Sequence, residues 1–218
     1  MMKVVVYTAV FDNYDTLLDQ PYNPQARYVC FGNAPQPSNT WEFIKVDRYQ
    51  SSATRDARYC KVMSHHFVTK DEYCIWLDAN LVLWDDPIKI CNKWLVSADM
   101  AVFKHPHRDC IYDEVKACEH YSKDDSKIMR KQVARYRTEG YPKHDGLIWT
   151  AFIARRQTEE VKLFNDMWWK EIMAGSHRDQ LGFPYVLKKM GIRTQFVSNG
   201  IRDALEVSYD HRHSAYRG

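Results

Sequence analysis

The sequence predicts an α/β fold, in which helices lie on both faces of a mostly parallel, mixed central sheet. Short apolar runs rich in β-branched residues alternate with longer segments of helical composition along the 218 residues. Turn-forming residues follow several of these runs directly, as expected where a buried strand ends in a loop. A chain of this length can bury a substantial core in one domain, and we assign residues 1–218 to a single domain.

The first half of the chain contains four predicted strands and two predicted helices. The strands cover residues 4–10, 27–31, 41–46 and 73–77. Residues 53–68 lack glycine and proline, and this predicts a helix that leads to the fourth strand. A second helix is predicted to begin at Asp85 and Asp86, because Pro87 suits the first turn of a helix.

The second half continues the alternation of strands and helices. Predicted strands cover residues 100–103 and 147–154, and predicted helices cover residues 112–137, 159–173 and 181–190. A polar loop at residues 104–108 follows the first of these strands. Gly140 and Pro142 end the first of these helices, and Gly175 ends the second.

Composition excludes several classes of function. The formal net charge is +3, too small for the basic footprint of a duplex-binding protein, so we expect no nucleic-acid partner. The sequence shows neither a signal-peptide pattern nor an apolar run of membrane-spanning length, so we expect no membrane span and a cytoplasmic location. The six cysteines are scattered and form no C-x-x-C pair, which favours reduced structural thiols over the alternative of a zinc site.

Asp78 and Asn80 follow the predicted strand at residues 73–77 and carry the clearest functional signal. Residues two apart in a strand share a face, so both side chains can direct oxygen atoms at one point beyond the strand. Mg²⁺ and Mn²⁺ bind oxygen ligands, with the remainder supplied by phosphate and water. The pair therefore predicts a metal–diphosphate site, although Asp and Asn are also the usual residues where a strand breaks into a turn.

Six motifs occur in order along nearly the whole chain. They lie at residues 5–15, 55–61, 75–80, 104–108, 139–142 and 178–180, and include Ile-Trp-Leu-Asp-Ala-Asn at 75–80 and Arg-Asp-Gln at 178–180. In this order they resemble a family of small glycosyltransferase-like domains with the GT-A fold of nucleotide-sugar transferases, which has plant, bacterial and viral members. The compact size and missing membrane anchor look most like the chlorella-virus domains that glycosylate a capsid protein.

The resemblance implies a GT-A-like α/β/α sandwich and a metal-dependent enzyme that uses Mn²⁺ or Mg²⁺. Such an enzyme would move a hexose or deoxyhexose from a UDP-sugar to a glycan or glycoprotein, such as a viral capsid protein, with retention of configuration. The implied donor-binding residues are Thr8, Ala9, Phe11, Tyr14, Arg58, Lys61, Asp78, Ala79 and Arg108. Tyr14 could stack on the base or merely pack its loop. Arg55, Arg58 and Lys61 lie three apart, so on a helix they could meet a diphosphate, but a solvated basic face has the same spacing.

The resemblance also implies catalytic residues and further metal ligands. The implied catalytic residues are Asp179, Gln180 and His105. Asp179 could stand beside the transferring carbon, or it could cap the following helix. The usual metal motif is D-x-D, and Asn80 replaces its second carboxylate with an amide, which reduces the negative charge offered to the ion. A third ligand is expected late in the chain, where His211 and His213 offer imidazoles, although a solvated tail has the same composition.

Two other interpretations remain open. A nucleotidyltransferase shares the α/β sheet and the metal–phosphate chemistry, but it would commonly carry a glycine-rich basic loop after the first strand. Residues 11–15 are instead acidic and lack glycine. A non-catalytic carbohydrate-binding domain would also suit the aromatic content of 14%. Hydrolysis of a donor in the presence of Mn²⁺ would separate this last interpretation from the two enzymes.

Overall fold

The computed structural model of the protein describes residues 3–197 and 205–207. Its strands are β1 (Val4–Ala9), β2 (Ala26–Gly32), β3 (Glu42–Lys45), β4 (Tyr73–Leu77), β5 (Leu81–Leu83), β6 (Met100–Lys104), β7 (Ile148–Arg156), β8 (Thr194–Val197) and β9 (Leu205–Val207). Its helices are α1 (Ala53–Val62), α2 (Ser64–Phe67), α3 (Pro87–Trp94), α4 (Ile111–His120), α5 (Ser126–Thr138), α6 (Glu159–Ala174) and α7 (Asp179–Met190).

Seven strands form one central sheet in the order β3-β2-β1-β4-β7-β6-β8. Neighbouring strands are parallel from β3 to β4 and again between β6 and β8, whereas β7 is antiparallel to both of its neighbours. Strands β5 and β9 form a separate two-stranded sheet. The predicted mixed, mostly parallel central sheet is therefore confirmed.

Apolar side chains on both faces of the sheet explain why helices cover both faces. Every residue of β1 is buried, and alternate residues enter different cores. Val5 and Tyr7 pack in one core with residues of α1 and α4 to α7, whereas Val4 and Val6 pack in the other core with residues of α3. This arrangement is the predicted α/β/α sandwich.

Two helices that the sequence predicts as continuous are broken. The first break lies at Met63, which has φ −86° and ψ 44° and separates α1 from the short α2. The predicted helix at residues 112–137 is split into α4 and α5 near Ser122, whose φ is 48°. Asp125 caps α5, because its side chain accepts hydrogen bonds from two backbone N–H groups of the first turn. Neither break contains glycine or proline, so local sequence did not indicate it.

The carboxyl ends of β1 and β2 approach each other closely. A Cβ atom at Gly32 would lie 2.2 Å from the carbonyl oxygen of Val10, so only glycine fits there. In the loop after β1, Asp12 and Asn13 lie in the left-handed region, at φ 53° and 54°. The Asn33 side chain holds this loop, since its amide donates to Asp12 Oδ1 at 2.7 Å and its oxygen accepts from the Asp12 N–H at 2.9 Å.

Two further features of the fold concern its helices and its cysteines. Within the described residues, no helix combines the length and apolar character needed to cross a membrane. All six cysteines are buried and free, which confirms the prediction of reduced thiols. Burial raises the pKa of the Cys30 thiol to about 12, so this group stays protonated at neutral pH.

Candidate functional site

A cavity of about 280 Å³ lies at the carboxyl ends of β1 and β4. This is the edge of a parallel sheet where α/β proteins bind their ligands. Sequence-predicted residues that line it are Ala9, Phe11, Tyr14, Arg58, Asp78, Ala79 and Asn80. The structure therefore brings together residues from the first strand, the first helix and the Asp-Ala-Asn segment, as the sequence predicts.

Asp78 is held at the end of β4 by contacts on both sides. The Trp76 indole donates a hydrogen bond to Asp78 Oδ1 at 2.7 Å, and Lys61 Nζ lies 3.5 Å from the same oxygen. The Asp78 side chain remains 29% exposed at the cavity. The Leu81 N–H donates to the Asp78 carbonyl at 3.0 Å, so residues 78–80 also form a turn. Residues 78–80 therefore form a turn and also present the side-chain oxygens of Asp78 and Asn80 that the sequence analysis predicts as metal ligands.

Of the three basic residues predicted to share a face of α1, Arg58 lines the cavity. The Arg55 guanidinium instead donates to the carbonyls of Ile172 in the last turn of α6 and of Gly175 at its C-cap, at 2.8 and 3.1 Å. Lys61 is buried, with 1% of its surface exposed. The alternative of a solvated basic face is therefore wrong for Lys61. Of Arg55, Arg58 and Lys61, it is Arg58 that lines the cavity.

Asp179 is buried behind the cavity, where basic side chains surround it. Its Oδ2 atom lies 2.6 Å from Lys61 Nζ and 3.4 Å from Arg58 Nε. Burial by itself would raise the pKa of the Asp179 carboxyl, but the charges of Arg58, Lys61 and Arg178 outweigh burial and hold this pKa below its ordinary value. Asp179 is therefore ionised. Its ion pair with Arg58, a residue that lines the cavity, connects Asp179 to the cavity.

Asp179 does not cap α7. It is the first residue of that helix, and Arg178 occupies the N-cap position without a side-chain cap hydrogen bond. The Trp168 indole donates to the Asp179 carbonyl at 3.0 Å, which joins α6 to the start of α7. The capping alternative for Asp179 is therefore wrong, since its carboxylate pairs with Lys61 and Arg58 instead.

Arg155 of β7 fixes the end of α1, and sequence reasoning missed it. This residue is fully buried, and its guanidinium donates to the carbonyls of Lys61 at 2.7 Å and Val62 at 3.3 Å. It also donates to the Tyr7 hydroxyl, which itself donates to the Lys61 carbonyl at 2.9 Å. An arginine within an apolar strand gives no local sign of such a partner, because the acceptors come from α1.

The sequence analysis did not assign nine further lining residues to this cavity, and Trp76, Lys123, His177 and Arg178 are among them. Trp76 and Arg178 lie within the motifs at 75–80 and 178–180, so those motifs were the available signal. His177 is oriented by Asp124, whose Oδ2 lies 3.0 Å from its Nδ1. Lys123 and His177 belong to two loops far apart in the chain, so only folding brings them together.

His105 and Arg108 line a second, larger cavity of about 680 Å³ rather than the first. His105 Nδ1 accepts hydrogen bonds from the backbone N–H of His107 at 3.2 Å and of Arg108 at 3.1 Å. Burial lowers the pKa of His105 to about 4, with a smaller opposing effect from Glu114. The imidazole is therefore neutral at pH 7, and its Nδ1 atom is an acceptor.

Buried Glu114 connects the two cavities. Its Oε2 lies 2.6 Å from Arg108 Nε at the second cavity, and its Oε1 lies 3.5 Å from an Arg178 nitrogen at the first. Arg178 also donates to Gln180 Oε1 at 2.8 Å, and the Gln180 amide donates to the Ile148 carbonyl at 3.1 Å. The predicted catalytic residue Gln180 is thus held between the cavities.

Besides Lys61, Asp179 and Gln180, three predicted site residues are absent from the linings of both cavities. Thr8 is fully buried in β1 and does not line the first cavity. His211 and His213 lie outside the described residues, so their proposed contact with a metal stays a prediction.

The donor atoms at the first cavity suit a hard divalent cation. Asp78 offers a carboxylate and Asn80 an amide oxygen, and such ions accept one or two protein oxygens with the remainder from phosphate and water. Arg58 and Arg178 add positive charge at the same cavity, where a diphosphate would need it. The residues therefore fit Mn²⁺ or Mg²⁺ held jointly with a diphosphate.

The protein is an α/β protein with a cavity at the carboxyl ends of two parallel strands, where α/β proteins commonly bind ligands. Residues 32–211 match the family described as TOD1/MUCI70, glycosyltransferase-like domain, and the chain belongs to this family. The predicted membership of a glycosyltransferase-like domain family is therefore confirmed. The closer similarity to chlorella-virus domains stays a prediction.

Two relatives from Arabidopsis thaliana are similar to this chain. "Probable hexosyltransferase MUCI70" is 26% identical over 227 residues, which cover 88% of this chain and 38% of the relative. "Alkaline ceramidase TOD1" is 26% identical over 188 residues, which cover 80% of this chain and 41% of the relative. The chain thus spans about two fifths of the length of these relatives. The names of these relatives give two different activities, a hexosyltransferase and a ceramidase. The choice between these activities for this chain therefore depends on the residues at the candidate site.

Proposed function

We propose that this chain is a metal-dependent glycosyltransferase that moves a hexose or deoxyhexose from a UDP-sugar to a glycan or glycoprotein. The observation that carries this proposal is the convergence of Arg58 and Arg178 with Asp78 and Asn80 around one cavity. Two guanidinium groups beside a carboxylate and an amide oxygen match the needs of a diphosphate and its cation. The name of one relative, a hexosyltransferase, supports the same reaction class.

The reaction breaks the bond between the anomeric carbon of the sugar and an oxygen of the diphosphate. Negative charge grows on the leaving diphosphate, and a divalent ion held by Asp78 and Asn80 would stabilise it. Arg58 and Arg178 stabilise the same charge from the protein side. Asp78 and Asn80 follow β4, Arg58 lies on α1 and Arg178 directly precedes α7, so the fold brings these groups to one cavity before the donor binds.

The nucleotide base is assigned to the wall made by Ala9, Phe11 and Tyr14. Phe11 is buried and fixes the start of the loop, whereas Tyr14 is 51% exposed at the cavity. An aromatic ring in this position can stack on a base while nearby backbone groups recognise its edge. This arrangement supports a preference for uracil, the base of the proposed donor.

The acceptor is assigned to the second cavity. Phe196 presents a ring that is 41% exposed there, next to the neutral His105 and the ion pair of Lys188 with Asp145. An apolar ring with surrounding hydrogen-bonding groups suits a sugar, which has apolar C–H faces and polar hydroxyls. Arg178, Glu114 and Arg108 link this cavity to the donor cavity. Gln180 and Asp179 lie along this route and are proposed to act in the reaction, with retention of configuration.

The charged lining of the first cavity favours a nucleotide sugar over the lipid amide that a ceramidase cleaves. Asp15, Arg58, Asp78, Lys123 and Arg178 all contribute to the lining of this cavity of about 280 Å³. Charges in such a site favour an anionic ligand and disfavour an apolar one. The ceramidase activity that the name of the second relative gives is therefore the competing result that the following experiment must separate from sugar transfer.

A panel of UDP-hexoses and UDP-deoxyhexoses tests this function, with UDP release measured in Mn²⁺, in Mg²⁺ and in chelator. We expect metal-dependent release from one or a few donors. Arg178→Gln should abolish this release, whereas the matched control Arg130→Gln, whose arginine pairs with Glu119 on an exposed surface, should retain it. UDP binding without release would favour a non-catalytic domain. Ceramide hydrolysis that Arg178→Gln abolishes would instead assign the site to a ceramidase.

A further inference from the structure

A second cluster of metal-ligand side chains lies away from the proposed donor cavity, at the start of α4. Ligand atoms of Cys110, Asp113 and His144 all lie within 4.8 Å of one another. Among the described residues, no other group of three or more histidine, cysteine, aspartate or glutamate side chains converges in this way. We propose that these three residues form a zinc site that is independent of the proposed catalytic metal.

The ligand types select zinc over the cations expected at Asp78. Thiolate and imidazole ligands favour Zn²⁺, whereas Mg²⁺ and Mn²⁺ favour carboxylates, carbonyls and water. Cys110, Asp113 and His144 offer one sulfur, one oxygen and one nitrogen. Three protein ligands and one water complete the tetrahedral geometry that zinc prefers.

His144 already has the second contact that zinc-bound histidines usually make. Its Nδ1 atom lies 2.8 Å from Asp109 Oδ1. In zinc sites, a carboxylate commonly holds one ring nitrogen of a ligand histidine and orients the other toward the metal. Asp109 is therefore assigned as the residue that orients the His144 ring.

The two segments that supply the ligands are joined without the metal. The Gly146 N–H donates to the Asp109 carbonyl at 2.9 Å, and the Tyr112 hydroxyl donates to the Tyr141 carbonyl at 2.6 Å. These bonds hold the loop that contains His144 against the start of α4. The ligand atoms thus converge before any ion binds, which lowers the ordering cost of binding.

The positive charge of Lys116 opposes the site only weakly. Its Nζ lies 2.8 Å from Asp113 Oδ1, but its side chain is 77% exposed. Exposed ion pairs contribute little, so zinc can displace the ammonium from Asp113. Binding forms a sulfur–zinc bond at Cys110 and releases the thiol proton to solvent, so affinity should rise with pH.

A zinc ion here would stiffen one wall of the second cavity. His144, Asp145 and Gly146 all contribute to that cavity. Ligation of His144 would tie their loop to α4. Zinc binding would therefore restrict the shape of the second cavity, whichever ligand that cavity binds.

Cobalt substitution tests the site in the full, reduced chain, because Co²⁺ bound by a thiolate absorbs in the near ultraviolet and four-coordinate Co²⁺ absorbs strongly in the visible. We expect one equivalent of Co²⁺ to produce both bands and Zn²⁺ to remove them. Cys110→Ser should lose the near-ultraviolet band, and His144→Ala should lose tight binding. Asp109→Asn should weaken binding by about 10- to 100-fold.

Two matched controls separate this site from other thiols and from the proposed catalytic metal. Cys118→Ser removes another buried thiol, which lies within α4, and Asp78→Ala removes the carboxylate at the first cavity; both variants should retain both bands. If Cys110→Ser does not fold, the exposed His144 and Asp109 variants decide the question. Absence of a thiolate band in wild type, or a band unchanged by His144→Ala, would overturn the proposal.

Discussion

Lys61 Nζ lies 2.6 Å from Asp179 Oδ2, in an ion pair whose two side chains are each no more than 2% exposed. The pair joins the end of α1 to the first residue of α7, behind the proposed donor cavity. Burying two charges is costly unless they are paired and further hydrogen-bonded. Lys61 also donates a hydrogen bond to Asp78 Oδ1 at 3.5 Å, and Arg58 forms a second ion pair with Asp179 at 3.4 Å.

Asp179→Asn should affect both stability and turnover. The variant leaves buried Lys61 without its close partner, and breaking a buried ion pair costs about 3–5 kcal/mol. Loss of the charge at the proposed reacting centre should also lower turnover per folded molecule by roughly two orders of magnitude or more, with little change in UDP binding. Urea unfolding and single-turnover assays measure the two effects separately.

A double-mutant cycle with Lys61→Met identifies the origin of the stability loss. If the pair is responsible, the two substitutions together should cost less than the sum of the single substitutions. Turnover per folded molecule that stays at the wild-type level in Asp179→Asn would show that Asp179 has a structural role alone.

Asp78→Ala should abolish Mn²⁺-dependent UDP binding while the protein stays folded. Lys61 keeps its pair with Asp179 in this variant, so no buried charge is left alone. Asn80→Asp should be tolerated and should tighten metal binding, because a second carboxylate adds negative charge. Calorimetry with and without Mn²⁺ measures both effects, with exposed Asp47→Ala as the control.

Two results would contradict this metal assignment. Wild-type affinity for UDP and Mn²⁺ in Asp78→Ala would remove the carboxylate from the site. Markedly weaker binding in Asn80→Asp would mean that the Asn80 amide donates a hydrogen bond instead of binding the metal.

The base pocket predicts that UDP binds more tightly than GDP or ADP in Mn²⁺. Tyr14→Ala should weaken UDP binding by about 0.5–1.5 kcal/mol, the usual contribution of an aromatic contact, whereas Tyr14→Phe should not. Calorimetry with the three nucleotides provides the measurement. Equal affinity for all three would leave a phosphate site without base recognition.

His105 should make the protein less stable at acidic pH. Its pKa in the fold is about 4, well below the ordinary value of 6.5, so the unfolded chain binds a proton that the folded chain does not. The unfolding free energy should therefore fall as pH decreases from about 6.5 to about 4. His105→Asn keeps an acceptor for the backbone N–H groups and should flatten this slope.

Urea unfolding at several pH values measures the slope for His105. His107→Asn, which removes an exposed neighbouring imidazole, is the matched control. Burial also lowers the pKa of His177, so part of the slope should remain in His105→Asn. An unchanged slope in His105→Asn would show that this imidazole is not protonated on unfolding in this range.

Phe196→Ala should weaken use of the acceptor without changing the donor. Its ring lines the second cavity, far from Asp78 along the sheet order. The KM for a short glycan acceptor, found by screening, should rise roughly 2- to 10-fold, since an aromatic contact contributes about 0.5–1.5 kcal/mol. Phe196→Tyr is the control. A change in UDP affinity with an unchanged acceptor KM would contradict the assignment of the second cavity.

Much of the fold was predictable from the sequence, because strands are marked by short-range patterns. Apolar runs bounded by turn residues predicted β1, β2, β3, β4, β6 and β7 within a few residues. The breaks at Met63 and Ser122 were not predicted, because neither contains the glycine or proline that usually marks the end of a helix. The short strands β5, β8 and β9 were also missed.

The sequence by itself determined that Asp78 and Asn80 follow a buried strand, since two-residue periodicity and the end of an apolar run are local properties. Only the tertiary structure decided that Trp76 and Lys61 hold Asp78, that Asp179 is buried against Lys61, and that His105 lines a different cavity. Such contacts join residues distant in the chain. They depend on how helices pack on the sheet, and neither periodicity nor intrinsic propensity encodes that packing.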